Sequence, residues 1–262
     1  SMPVAIIFVD SESMASQKAK GGTGKSLSLG ALGHLRNLKS VDGKRMRPDG
    51  GQRFVFSGVD EATEIVLLND VNKDMQFQDL FNVVSDDMEV EKKGINKKVI
   101  PKGLKPKIGI TSNYIITGND TSTKRRQHIV SFGSFLNKVS TLDYTDKSMS
   151  VEGLVGCYLF ENEFSAEDWN DFDCYYILCV QKYLNTGLIT PKNQGYKQAL
   201  LANIVGDDDV LEWMEAWLKK GGHEQGIAET QIYDEFSAAF VSGINLLVWD
   251  EKLFLDRLFE YI

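Results

Sequence analysis

The first half of the chain alternates short apolar runs with segments of helical spacing. Residues 3–10 read as a strand. Ile65 to Leu68 are four consecutive apolar residues that run straight into Asn69-Asp70, and Lys107–Ser112 is another apolar strand, followed by Asn113. Apolar stretches without alternation fit strands buried on both faces of a parallel sheet. Between them, Leu27, Ala31, Leu32, Leu35 and Leu38 are spaced as one helix over 27–38, and Met75, Phe77, Leu80, Phe81 and Val84 as a second. Phe54–Phe56 reads as a short strand, and 40–52 as a polar, basic loop with Lys44, Arg45 and Arg47, and Arg53 beside it. From about Leu142 the character changes. The spacing predicts helices over 169–184, 196–205, 210–218, 230–240 and 252–261, with a short strand at 246–249. The pattern predicts an α/β core with a central parallel sheet over 1–141, then a mainly helical C-terminal region over 142–262. Residues 222–262 suit a small winged-helix-like tail.

Composition supports a packed protein. The 262 residues are 42% hydrophobic and 25% charged. There is no apolar run long enough to span a membrane and no basic leader with a cleavage site, so a cytoplasmic protein with no membrane partner is expected. Ser1-Met2 reads as a remnant ahead of a truncated chain. Cys157, Cys174 and Cys179 fit no zinc or redox spacing, and buried reduced thiols are expected. Net charge is -8, but unevenly spread: residues 1–150 carry 22 Lys+Arg against 17 Asp+Glu, and 151–262 carry 7 against 20. The two halves therefore face different surroundings.

The strongest chemical signal is Gly21-Gly22-Thr23-Gly24-Lys25-Ser26, between the first strand and the first helix. Strand, glycine turn and helix in that order make a phosphate-binding loop. Glycines turn successive N–H groups toward phosphate oxygens, and Lys25 adds a point charge. Ser26 supplies a hydroxyl for magnesium. Ala19 stands where the full motif has its first glycine. Asp70 ends a buried strand, where open α/β sheets bind ligands, and is a candidate water-mediated magnesium ligand. Asn113 lies at the same expected edge and is suited to orient the attacking water. Lys92, Lys93, Lys97, Lys98, Lys102, Lys105 and Lys107 fall in one acid-free stretch around Gly94-Ile95-Asn96, which predicts a basic β-hairpin that contacts a phosphate backbone. Arg125 and Arg126 form a further basic pair suited to reach a nucleotide on an adjacent subunit. A GTPase should carry N-K-x-D, and Asn72-Lys73-Asp74 misplaces the acid, so guanine specificity is not expected. No lid or acceptor site for a small-molecule kinase stands out.

With these motifs in order, residues 4–185 resemble the superfamily 3 helicases, AAA+ P-loop NTPases. The chain looks most like the helicase part of a phage or plasmid primase–helicase of Bacteroides type. The resemblance implies ATP and Mg²⁺ as cofactors, with Gly21, Gly22, Thr23, Gly24, Lys25 and Ser26 on the nucleotide. It implies Asp70 as the Walker B carboxylate, Asn113 as sensor 1, and Arg125 or Arg126 as an arginine finger acting in trans. Lys92, Lys93, Lys97 and Lys98 resemble the hairpin that tracks single-stranded DNA through a hexameric ring. Neither a primase domain nor an N-terminal collar is read here, so the homo-hexamer is expected of a full-length protein with a primase domain or partner. Asn69 stands where the family has an acid. Either Asn69 only positions the water, or another acid such as Glu61 or Asp74 substitutes, or hydrolysis is slow. The alternative to a helicase motor is therefore a nucleotide-dependent DNA-binding or loading module with weak hydrolysis.

Overall fold

The structure, a computed structural model, describes residues 3–10, 22–46, 54–73, 75–114, 116, 121–133, 156, 158–190, 205, 207–221, 228–240 and 249–261. The chain divides into two compact units, Ser1–Gly195 and Tyr196–Ile262. That division lies well beyond the expected change of character near Leu142.

The first unit is an α/β core around a parallel sheet. Its five strands are β1 (Ala5–Asp10), β2 (Leu38–Asp42), β3 (Ile65–Val71), β6 (Lys107–Ser112) and β7 (Gln127–Phe132), in the spatial order β2-β3-β6-β1-β7. Every neighbouring pair is parallel. Ile7, Val9, Val66, Leu68 and Ile110 are fully buried, which explains their unbroken apolar runs. Parallel pairing also brings all carboxyl ends to one edge. Val9 sits opposite Ser112, Val71 opposite Ser112 and Asp42 opposite Asn69. The last residues of β1, β2, β3 and β6 thus lie along one edge.

The helix after the glycine turn, α1 (Lys25–Gly30), is shorter than the spacing predicts. It tightens into a 3₁₀ turn at Ala31–His34, and Leu38 opens β2. Gly30 and Gly33 lie inside the expected helix, where glycine costs about 1 kcal/mol relative to alanine. Leu29 packs against Gly109 of β6, where an added Cβ would meet its methyls at 3.4–3.5 Å. β2 falls partly inside the segment expected to be loop, because this edge strand buries only Val41 and otherwise reads polar. Phe54–Ser57 is turn rather than strand, although Val55 and Phe56 are buried. Residues 75–84 form a 3₁₀ turn, Phe77–Leu80, leading into α2 (Phe81–Ser85). β4 (Met88–Lys92) and β5 (Ile95–Ile100) pair antiparallel as a separate two-stranded sheet, with Gly94 at φ 75 in the turn. A short helix, α3 (Thr121–Lys124), precedes β7.

The long helix α4 (Ala166–Thr186) begins at a capping box formed by Ser165 and Asp168. Trp169 and Phe172 gather with His34 and Phe160 near its start. No residue of α4 is buried, so Cys174 and Cys179 are exposed reduced thiols, against expectation. Cys157 lies outside the described residues.

The second unit contains α5 (Asp208–Lys219), α6 (Glu229–Ala239) and α7 (Glu251–Tyr261). Their apolar faces close around Phe236, whose ring stacks on Phe254 at 4.1 Å, with Val210, Met214 and Leu258 also fully buried. Trp213 and Trp217, one turn apart, stack at 6.2 Å and belong to this core. All but Trp249 of the strand expected over 246–249, and nearly all of the helix expected over 196–205, lie outside the described residues.

Candidate nucleotide site

Gly24 caps α1 in the left-handed region at φ 88, and Gly22 has φ 84. Both conformations favour glycine and turn the loop back onto the strand edge. Gly21 lies outside the described residues. Thr23 and Lys25 are buried between the loop and the edge.

The Lys25 ammonium has three donors and makes three bonds. It donates to Asp10 Oδ1, to Asn113 Oδ1 at 2.9 Å and to Thr23 Oγ1 at 3.1 Å. The Asp10 carboxylate, at 2% exposure, also accepts from the Thr23 hydroxyl. Asn113 then donates through Nδ2 to Asp70 Oδ1 at 3.2 Å, and the other Asp70 oxygen meets Lys44 Nζ at 2.9 Å. One continuous polar chain, Asp10–Lys25–Asn113–Asp70–Lys44, runs along the carboxyl edge of the sheet. Lys25, Asp70 and Asn113 are within mutual reach of one ligand.

A bulge decides which side chain faces which way. The register of β3 against β6 shifts between Leu68 and Val71, and Asp70 adopts φ 57. Its N–H is satisfied by Thr111 Oγ1 at 2.9 Å. As a result Asn69, not Asp70, meets the loop hydroxyl: Ser26 donates to Asn69 Oδ1 at 2.6 Å, and Thr111 donates to the same oxygen at 2.8 Å. Asp70 is turned toward Asn113 and Lys44. Asp70, expected as a water-mediated magnesium ligand, is thus not the side chain bonded to Ser26.

Lys44 follows from backbone packing. Gly43 lies so close to β3 that an added Cβ would come within 2.6–2.8 Å of Val71 Cγ1, the Asn69 carbonyl and the Val71 nitrogen. Asn72 Nδ2 donates to the Lys44 carbonyl at 3.3 Å. The hydrogen bond to Asp70, with its negative charge, raises the Lys44 ammonium above the usual lysine range.

The two arginines part company. Arg126 donates through Nε to Ser85 Oγ and through Nη1 to the Ser122 carbonyl at 2.9 Å, and its guanidinium lies 4.7 Å from the Phe81 ring centre. It is tied to Ser85, Ser122 and Phe81 of the same chain. Arg125 is exposed, and among the described residues its side chain makes only a long 3.5 Å contact, to Ser122 Oγ.

Lysines of the hairpin also divide. Lys92 and Lys93 are exposed at its turn. Lys97 pairs with Glu89 and, at 3.9 Å, with Glu91, while Lys98 pairs with Glu61 at 3.3 Å. Glu61 is thereby engaged with the hairpin. Asp74 lies outside the described residues.

The oxygen donors suit a hard cation. Ser26 gives its proton to Asn69, which leaves its lone pairs for a metal, and magnesium takes one or two protein oxygens with phosphates and water completing its shell. The buried Lys25 and the left-handed glycines suit a polyphosphate. Asp10, Lys44, Asn69 as an acceptor, and Thr111 are participants that sequence reasoning missed. Asp10 was signalled by the same feature as Asp70, an acid ending an apolar strand; Lys44 had no signal beyond a basic loop.

No protein-family model matches the sequence, and no curated protein matches it. Among solved structures, the chain is similar to the A form of the apo NrS-1 C-terminal region at 16% identity and a TM-score of 0.40, over 98% of this chain and 58% of that one. JCV helicase bound to a thiazolopyridine acetamide is similar at 14% identity and a TM-score of 0.36, over 86% of this chain and 53% of that one. The chain spans little more than half of either structure.

Proposed function

We propose that this chain is the ATP-dependent motor of a DNA helicase that moves on single-stranded DNA during replication of a phage or mobile element. The observation that carries the reading is the hydrogen-bonded convergence of Lys25, Asn113 and Asp70 at the carboxyl edge of the sheet. Gly22, Thr23 and Gly24 wrap the triphosphate, and Lys25 binds its β- and γ-phosphates. Ser26 presents oxygen to magnesium while donating its proton to Asn69. The metal held there would supply positive charge to neutralise the phosphates. Asp70 is the carboxylate hydrogen-bonded to Asn113, so these two hold the attacking water, with Asp70 as proton acceptor. This assignment fills the general-base role that Asn69 cannot. In an assembled ring, Arg125 reaches the neighbouring subunit's nucleotide and Arg126 holds the segment that presents it. Lys92 and Lys93 at the hairpin turn grip the DNA backbone, with Lys97 and Lys98 shared with their glutamates.

The test is ATPase rate with and without single-stranded DNA, for wild type and Lys25→Ala. DNA-stimulated turnover that the substitution abolishes is expected; no stimulation at any salt concentration refutes the motor. The second reading, a DNA-loading module with slow hydrolysis, is favoured by the neutral amide beside Ser26. Under it, Asn69→Asp raises turnover strongly at unchanged DNA affinity, and a brisk wild-type ATPase eliminates it.

A further inference from the structure

We infer that Asp10 is a resident counter-anion that occupies the phosphate-binding lysine until nucleotide displaces it, and so sets nucleotide affinity. The inference rests on the nucleotide reading above. Lys25 has no donor to spare: its three bonds go to Asp10, Asn113 and Thr23. A phosphate oxygen must therefore take the place of one of these acceptors. Asp10 is the one that carries charge, and the pair is buried, with side-chain exposures of 6% for Lys25 and 2% for Asp10. Water screens the pair poorly at that depth.

Asp10 also holds Thr23. It ends β1 and accepts from the hydroxyl of Thr23, the residue before the Gly24 cap. The carboxylate stands where it opposes an incoming polyanion. When Lys25 turns to phosphate, Asp10 is left buried beside the new negative charge. Binding thus costs the exchange of one anion for another, and the cost grows with phosphate charge. Asp10 is a positioning residue: it acts through Lys25.

Asp10→Asn keeps an oxygen that accepts from Thr23 and Lys25, removes the charge and turns the other oxygen into an amide donor. Equilibrium binding of fluorescent ATP, ADP and AMP analogues is measured for both proteins. The variant is expected to bind ATP about 10–100-fold more tightly, ADP with a smaller gain, and AMP without gain. Unchanged or weaker ATP affinity overturns the inference, as does an equal gain for AMP. Where wild type binds ATP and the variant binds no better, the inference alone fails. Where neither binds any nucleotide, the nucleotide reading fails with it. Should the variant fail to fold, acylation of wild-type lysines mapped by mass spectrometry decides: Lys25 is expected to be protected without nucleotide, and full reactivity of Lys25 there overturns the inference.

Discussion

Lys25→Met separates the charge of the phosphate-loop lysine from its bulk. The unbranched methionine keeps most of the apolar stem and removes the ammonium. In wild type the ammonium and the Asp10 carboxylate are both almost wholly buried. Breaking one partner of a buried pair leaves the other charge in a poor solvent and costs about 3–5 kcal/mol. For a unit of this size, 1 kcal/mol is worth roughly 2–4 °C in Tm, so a drop of about 6–20 °C is expected without any nucleotide. The probe must report on the first unit. Of the four tryptophans, Trp213, Trp217 and Trp249 lie in the second unit, so intrinsic fluorescence follows the wrong body. Hydrogen exchange of peptides covering β1 and β6 is the suitable assay. The double variant Lys25→Met/Asp10→Asn, with neither charge present, should recover most of the loss, since a neutral replacement of a buried pair costs little. Wild-type protection in the single variant, or a double variant no better than the single, would refute the buried-pair argument.

Gly43→Ala drives a methyl into β3 backbone that has no room to yield, so a loss of about 1–3 kcal/mol is expected in denaturant melts, with weaker hydrolysis as Lys44 leaves Asp70. Arg126→Ala should lower stability by about 1–3 kcal/mol through its lost hydrogen bonds and its place over Phe81. Arg125→Ala should leave melting unchanged and reduce ATPase of the assembled form about 10³-fold or more. Among the described residues the buried Nε2 of Gln127 has no hydrogen-bond partner, so Gln127→Met should be neutral or stabilising by about 1 kcal/mol in the same melts. Burial lowers the pKa of His128, so the unfolded chain takes up a proton that the folded one refuses. Its contribution to stability is present above the unfolded value near 6.5 and declines as pH falls below it; His128→Asn should flatten that decline in melts across pH 5–7.

The core of the sheet was legible because strands buried on both faces leave no ambiguity: β1, β3 and β6 are read from Val4–Val9, Ile65–Leu68 and Ile108–Ile110. The hairpin was legible from Gly94 between two lysine-bearing runs. β2 was not, because an edge strand with one buried residue has no periodic signature. The helix after the loop was overextended because periodicity alone ignores the glycines at 30 and 33. At the site, sequence order named Lys25, Asp70 and Asn113, yet the bulge at Asp70 exchanges the faces of two adjacent residues. Such a local slip is invisible in a linear pattern. Exposure of Cys174 and Cys179 was missed because the apolar spacing of α4 implies a covered face that its residues do not have.

The order of the sheet bears on how the protein is made. β1 lies between β6 and β7, its two ladder partners. During translation its apolar backbone leaves the ribosome long before either partner exists. About 100 residues separate β1 from the end of β6, the first partner made, or roughly 5–20 s of synthesis. Through that interval Ala5–Val9 is a sticky, unpaired ribbon, and holdase chaperones are the natural guardians of the nascent chain.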